Sequence, residues 1–203
     1  MLELSKQKIL NENKVLCEKY PFLIPRWGYD EKIPDNYDYS YTWLDSLPIG
    51  WRTLAIMMCK ELKEELIRCD YLDEYMIIEA KEKYGSIRIY DNGIPEDCRV
   101  WDIIKKYEMI SYNVCCVCGK PDVPASEGWI CPFCKECYEE NYNSTVTWES
   151  LHKDQSPHRM GEWYAEKCKD KDFAEEILET AEKYREQWEM ERKANANGFQ
   201  KFK

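Results

Sequence analysis

The sequence predicts an α+β fold: a small mixed domain with a β-hairpin and packing helices, a compact cysteine-rich lobe, and a C-terminal helical extension. Three observations carry that expectation. Leu54, Met58, Leu62 and Leu66 recur every four residues, with Lys60, Lys63, Glu64 and Glu65 between them, as on a helix that buries one face. Two β-rich runs, about 75–82 and 86–90, flank Tyr84-Gly85 and read as a hairpin. Cys115 and Cys118, and then Cys134 and Cys137, form two pairs, each with a two-residue gap. The expected organisation is an N-terminal helix and aromatic arm over 1–48, an α+β core over 49–112, a four-cysteine module over 113–138, and a loop with a C-terminal helix over 139–203.

Taken in order, residues 5–20 suit a helix capped by Ser5, with Ile9, Leu16 and Tyr20 on its inner side and Pro21 as its stop. Residues 21–48 are rich in aromatics, as disordered segments are not, so an ordered arm laid over a core is expected. Tyr37, Tyr39, Tyr41 and Trp43 alternate, so that on a strand they would share one face as a recognition strip; packing against the domain is the plainer expectation. The helix over about 51–68 follows, then the hairpin, closed by Asp91-Asn-Gly93. Pro95 suits a helix's first turn, and that helix is expected to reach about Tyr112 with Val100, Ile103, Ile104 and Tyr107 inside. The stretch 139–161 is polar and irregular and holds His152 and His158, read as exposed side chains. From Asp172, spaced with Glu175 as a capping box, a long helix places Phe173, Ile177, Leu178, Ala181, Tyr184 and Trp188 on one face to about Lys193, and Asn195-Ala-Asn-Gly198 is expected to end it. That stripe must be buried on the main domain, on a partner, or on a second copy of the chain.

The cysteine pairs point to a metal for a geometric reason. A two-residue gap lets one tight turn aim two sulfurs at one ion, and a second such turn completes a tetrahedron with Zn–S bonds of about 2.3 Å. Fifteen residues separate Cys118 from Cys134, which fits a four-thiolate zinc site. Gly119 follows the first pair, where such a turn needs positive φ. Cys131 with Cys134 is a competing second pair, but Pro132 stiffens that approach, whereas Lys135-Glu136 suits a polar turn. Cys116 should leave its turn in another direction. The candidate ligands are therefore Cys115, Cys118, Cys134 and Cys137 around a structural Zn²⁺, with an iron–sulfur cluster or a redox dithiol as the competing chemistries. Four thiolates leave no open position for a catalytic water.

Composition narrows the function. The net charge is −10, and no part of the chain is basic: residues 1–114 carry 16 basic and 21 acidic side chains, 115–137 carry 2 and 3, and 138–203 carry 11 and 15. Electrostatic capture of nucleic acid depends on Lys and Arg neutralising phosphates, so it is disfavoured. The start lacks the apolar core of a signal peptide, and no apolar run approaches the roughly 18 residues that span a bilayer. A cytoplasmic location, with thiols free or on metal, is the expectation.

Lys81-Glu-Lys-Tyr-Gly-Ser-Ile-Arg-Ile-Tyr90, Cys115-Cys-Val-Cys-Gly-Lys-Pro121 and Gly128-Trp-Ile followed by Cys134 and Cys137 together resemble a family of small, mostly uncharacterised proteins of tailed phages, prophages and bacterial genomes. The resemblance covers roughly residues 40–140. It implies a zinc-ribbon-like module, and it supports Cys134 and Cys137 as the second ligand pair with Cys131 at a variable position. It implies no activity. Around the hairpin, Lys83, Tyr84, Gly85 and Arg88 are expected first of all to make a tight turn; the functional alternative has Lys83 and Arg88 grip a phosphate or carboxylate.

Three function classes follow. One is a non-enzymatic interaction protein of phage type that docks on a protein partner, for instance to inhibit a bacterial defence system, with its acidic face occupying a nucleic-acid channel. A second is a zinc-ribbon regulator that touches nucleic acid through Lys83, Arg88 and Trp129. A third is a small-ligand or nucleotide-binding protein or enzyme, for which no Ser/His/Asp order, Gly-rich phosphate loop or H-E-x-x-H motif gives positive support.

Overall fold

A computed structural model describes residues 2–26, 33, 36–124, 131–141, 147–151, 165–166 and 168–199. Its elements are α1 (Leu2–Lys19), α2 (Arg52–Arg68), β1 (Ile77–Lys83), β2 (Ser86–Asp91), α3 (Val100–Ser111), α4 (Lys135–Asn141), α5 (Trp148–Leu151) and α6 (Lys171–Phe199), with single 3₁₀ turns before α2. The strands form one two-stranded sheet, so the chain is α+β as expected. Two compact units emerge: Met1–Leu47 with Ala55–Glu82 and Ile87–Lys105, and Pro48–Leu54 with Lys83–Ser86 and Lys106–Lys203.

In the first unit, α1 begins before Ser5, which therefore lies inside the helix and is not its cap. Of the side of α1 expected to face inward, Tyr20 is buried and Leu16 half-buried, but Ile9 is 50% exposed, and Asn13 and Cys17 are buried instead. Asn13 belongs inside because both of its amide hydrogens are used, on the Tyr39 carbonyl at 3.1 Å and the Asp45 carboxylate at 3.0 Å. A polar residue at a core position escapes a reading built on apolar spacing. Asp45 in turn accepts the Thr42 N–H at 2.6 Å, closing a capping box on a short 3₁₀ turn.

The aromatic arm is not a strand. Tyr39 sits at φ 60°, which breaks the alternation, and the rings pair edge-to-face instead, Tyr37 with Tyr39 at 4.9 Å and Tyr41 with Trp43 at 6.2 Å. Of the expected strip, Trp43 is buried and Tyr41 exposed.

The α2 stripe of Leu54, Met58, Leu62 and Leu66 is fully buried, as its spacing predicts. At the hairpin, Tyr84 (φ 54°) and Gly85 (φ 80°) are both left-handed, the signature of a two-residue type I′ turn whose twist matches the strands. Asn92 then locks the hairpin's far end, accepting from Met76 N–H at 2.8 Å and donating to the Glu74 carbonyl at 2.9 Å.

Helix α3 starts at Val100, five residues after Pro95, rather than at the proline. The intervening residues have other partners. Cys98 is bridged to Cys69 by a disulfide with Cα atoms 5.9 Å apart, and Arg99 N–H donates to Glu65 at 2.6 Å. Cys69 and Cys98 thus depart from the expectation that thiols are free or on metal.

In the second unit, α6 is capped by Asp170, whose Oδ1 accepts the N–H groups of Asp172 and Phe173 at 3.0 and 3.1 Å; the cap thus lies two residues before Asp172, and with Phe173 in the third position it is a simple cap and not the box expected of Asp172 with Glu175. The helix continues through Asn195–Gly198 to Phe199. Ala174, Ile177, Thr180, Ala181 and Tyr184 form its buried face, whereas Leu178 is 40% exposed. No helix among the described residues is long and apolar enough to cross a membrane.

Candidate metal centre

The site is assembled from two turns. In the first, Cys115 N–H donates to the Lys120 carbonyl and Gly119 N–H to the Cys115 carbonyl, both at 2.9 Å, which folds Cys115–Lys120 into a knuckle. Gly119 adopts φ 75°, the left-handed conformation expected of it. The second turn runs straight into α4, so that Cys137 lies in the helix's first turn. There the Cys137 N–H is hydrogen-bonded to the Cys134 sulfur, which ties the second turn to its own first cysteine.

Cys115, Cys118, Cys134 and Cys137 converge: their four sulfurs lie within 4.8 Å of one another. A tetrahedron with 2.3 Å bonds has sulfur–sulfur edges of about 3.8 Å, and Cys118 and Cys134 are 3.7 Å apart. Cys115, Cys134 and Cys137 are buried and Cys118 is exposed.

The protonation of the sulfurs follows from their crowding. Cys115 is pushed down to about 4, chiefly because the Cys118 thiol hydrogen-bonds to it, helped by the N–H groups of Cys118, Cys134 and Val117. Its neighbours move the other way: Cys118 is pushed up by giving its proton to Cys115, Cys134 up to about 12 by burial, and Cys137 up by burial. Four sulfurs cannot all carry charge in so small a volume without a cation. The donor set therefore fits a soft metal ion with no vacant position.

The surrounding contacts fix the knuckles. Trp51 Nε1 donates to the Val114 carbonyl at 2.8 Å, just before Cys115. Gly50 packs on the knuckle backbone so closely that a Cβ there would come within 2.8 Å of the Cys115 carbonyl oxygen and of Cys116 backbone atoms. From α6, Tyr184 donates to the Gly119 carbonyl at 2.7 Å and Trp188 Nε1 to the Cys118 carbonyl at 3.3 Å. Arg185 grips Asp122 through two bonds of 2.8 Å. Lys120 and Glu136 pair across the two turns at 3.2 Å, and Trp148 Nε1 donates to the Phe133 carbonyl at 3.0 Å. Apart from Glu136, which reads as part of a polar turn, and Tyr184 and Trp188, which fall on the inner face of their helix, the sequence does not mark these supporting residues. Contacts 63 to 70 residues apart, such as Arg185 with Asp122, leave no local signature.

Of the other candidate residues, Lys83 and Tyr84 come together at the hairpin, with the Lys83 ammonium 5.4 Å from the Tyr84 ring centre. Arg88 donates to the Ile87 carbonyl at 3.2 Å. Trp129, His152 and His158 lie outside the described residues. A second convergence, Glu65 with Cys69 and Cys98, is a poor cation site: the two sulfurs are bonded to each other and the Arg68 guanidinium occupies the carboxylate at 2.7 and 2.9 Å.

Comparison with protein-family models, with curated proteins and with solved structures finds no match to this chain. The functional reading therefore rests on the geometry above.

Proposed function

We propose that this chain is a non-enzymatic interaction protein whose cysteine lobe is held by one structural Zn²⁺ on Cys115, Cys118, Cys134 and Cys137. The single observation that supports this reading is the convergence of four sulfurs within 4.8 Å of one another, with Cys118 and Cys134 3.7 Å apart. A full thiolate shell suits an ion that shapes the fold and gives no place for substrate or activated water. Zinc is preferred over iron–sulfur chemistry because two knuckles that close on one point suit a single closed-shell ion.

The partner in this proposal is a protein in a bacterial or phage-infected cytoplasm, and inhibition of a defence system is its concrete form. An excess of 39 acidic over 29 basic residues lets such a protein compete for a surface built to take nucleic acid. Two measurements test the two halves. Elemental analysis of tag-free protein should find one zinc per chain, and iron with a visible absorption band would overturn the zinc assignment. Incubation with host lysate should recover one protein in stoichiometric amount; recovery of nucleic acid, with affinity that collapses as salt is raised, would favour instead a regulator that uses Lys83, Arg88 and Trp129.

A further inference from the structure

Six of the eleven cysteines fall between positions 115 and 137, and a tetrahedral ion uses four. The other two are Cys116 and Cys131. The Cys116 backbone is held on both sides, its N–H on the Pro132 carbonyl and its carbonyl under the Gly50 N–H, each at 2.9 Å. The first of these bonds draws the residue next to Cys131 alongside Cys116, and the Cys131 side chain is close enough to act on the Cys116 thiol. Neither belongs to the convergent group of four. Cys116 is buried and Cys131 is half-buried, so a reagent reaches the pair through Cys131.

We propose that Cys116 and Cys131 are a second thiol site, separate from the metal centre, which a hydroperoxide or a small disulfide oxidises to an intramolecular disulfide while the four-thiolate centre keeps its ion. With a hydroperoxide, the Cys131 sulfur attacks the O–O bond and becomes a sulfenic acid, releasing one molecule of water or alcohol. The Cys116 sulfur then attacks the sulfenic sulfur and a second water leaves. Two S–H bonds and one O–O bond are lost and one S–S bond is gained; the sulfur pair gives up two electrons and the peroxide accepts them. With a small disulfide, the same bond forms by exchange through a mixed disulfide, releasing two thiols.

The new link would join positions 15 residues apart, nearly the same two segments that the ion joins through Cys118 and Cys134. The closed loop favours the folded lobe by on the order of a hundredfold. Oxidation at this pair therefore retains metal, the reverse of a zinc switch whose own ligands are oxidised. The retention clause rests on the zinc reading; the thiol pairing does not.

The test treats the full chain, its metal content measured beforehand, with one equivalent of hydrogen peroxide and in parallel with glutathione disulfide, followed by alkylation in denaturant and peptide mapping. The expected product is lighter by about 2 Da, the mass of two hydrogens, with the link mapped to Cys116 and Cys131, metal stoichiometry unchanged, and slower metal loss to a chelator. Cys131→Ser should keep its metal and its circular dichroism and form no such link. A link through Cys115, Cys118, Cys134 or Cys137 with matching metal release would overturn the proposal, as would both thiols remaining alkylatable after excess oxidant, or loss of metal from Cys131→Ser. Protein that holds no metal before oxidant is added would refute the zinc reading alone, and the position of the link would still decide this one.

Discussion

The first unit and the second use cysteine in opposite ways. In the first, Cys69–Cys98 is a covalent link added to a core already filled by Trp43, Met58, Leu62, Tyr75 and Ile87. In the second, four sulfurs converge within 4.8 Å of one another, and Val114, Val123, Phe133 and Tyr138, from the same stretches of chain, are buried as Cys115, Cys134 and Cys137 are. A disulfide mainly restrains the unfolded chain, whereas a thiolate–metal centre supplies folding free energy directly. The two units should therefore answer to different reagents, the first to reductants and the second to chelators.

The largest expected effect separates them. Stripping the metal, or Cys134→Ser, removes binding energy on the order of 10 kcal/mol. The lobe should unfold, read as proteolytic cleavage within 113–141, while peptide mapping without reductant still finds Cys69 joined to Cys98. An unchanged melting temperature after chelation would refute a structural metal. Next is the disulfide. Its cysteines are 29 residues apart, so a phosphine reductant should cost about 3–4 kcal/mol by loop entropy, measured by denaturant titration, with metal content unchanged.

Gly50→Ala comes third. A methyl group driven into the Cys115–Cys116 backbone should cost about 1–3 kcal/mol and weaken metal retention, seen as faster loss to a chelator. Arg185→Ala removes the two-bond grip on Asp122 and leaves that carboxylate in a half-buried site, for an expected loss of about 1–2 kcal/mol in melting experiments. The smallest effect belongs to Glu65, whose carboxyl is held below the ordinary range first by Arg68 and then by the Arg99 N–H and both positive charges. Being lowered, it stabilises the fold above the ordinary carboxylate pKa of about 4.3, and that stability is lost as pH falls through the folded value. Glu65→Gln should remove this part of the acid dependence, measured as melting temperature between pH 5 and pH 3.

What the sequence revealed, and what it hid, follows from the range of each interaction. The convergence of Cys115, Cys118, Cys134 and Cys137 was legible because a pair of cysteines with a two-residue gap is a local device. The α2 stripe and the turn at Tyr84-Gly85 were legible for the same reason. The Cys69–Cys98 link was not, since nothing near either residue marks its partner. Asn13 hid because a buried amide looks polar in sequence and is satisfied only by Tyr39 and Asp45, brought in from 26 and 32 residues away. The delayed start of α3 has a similar cause: Pro95 suits a first turn, but the tethers on Cys98 and Arg99 keep the following residues out of the helix. Alternating tyrosines suggested a strand, and one left-handed residue, Tyr39, was enough to undo it.

Among the four ligands only Cys118 is exposed, and its carbonyl is the one that receives the Trp188 indole. An ion held as proposed would therefore be open to a competing chelator first at this corner, where the sulfur can be touched. Such a site would have an order of disassembly, with a natural fluorophore hydrogen-bonded to the backbone of the cysteine that would leave first. Stopped-flow emission would time that opening without any added dye.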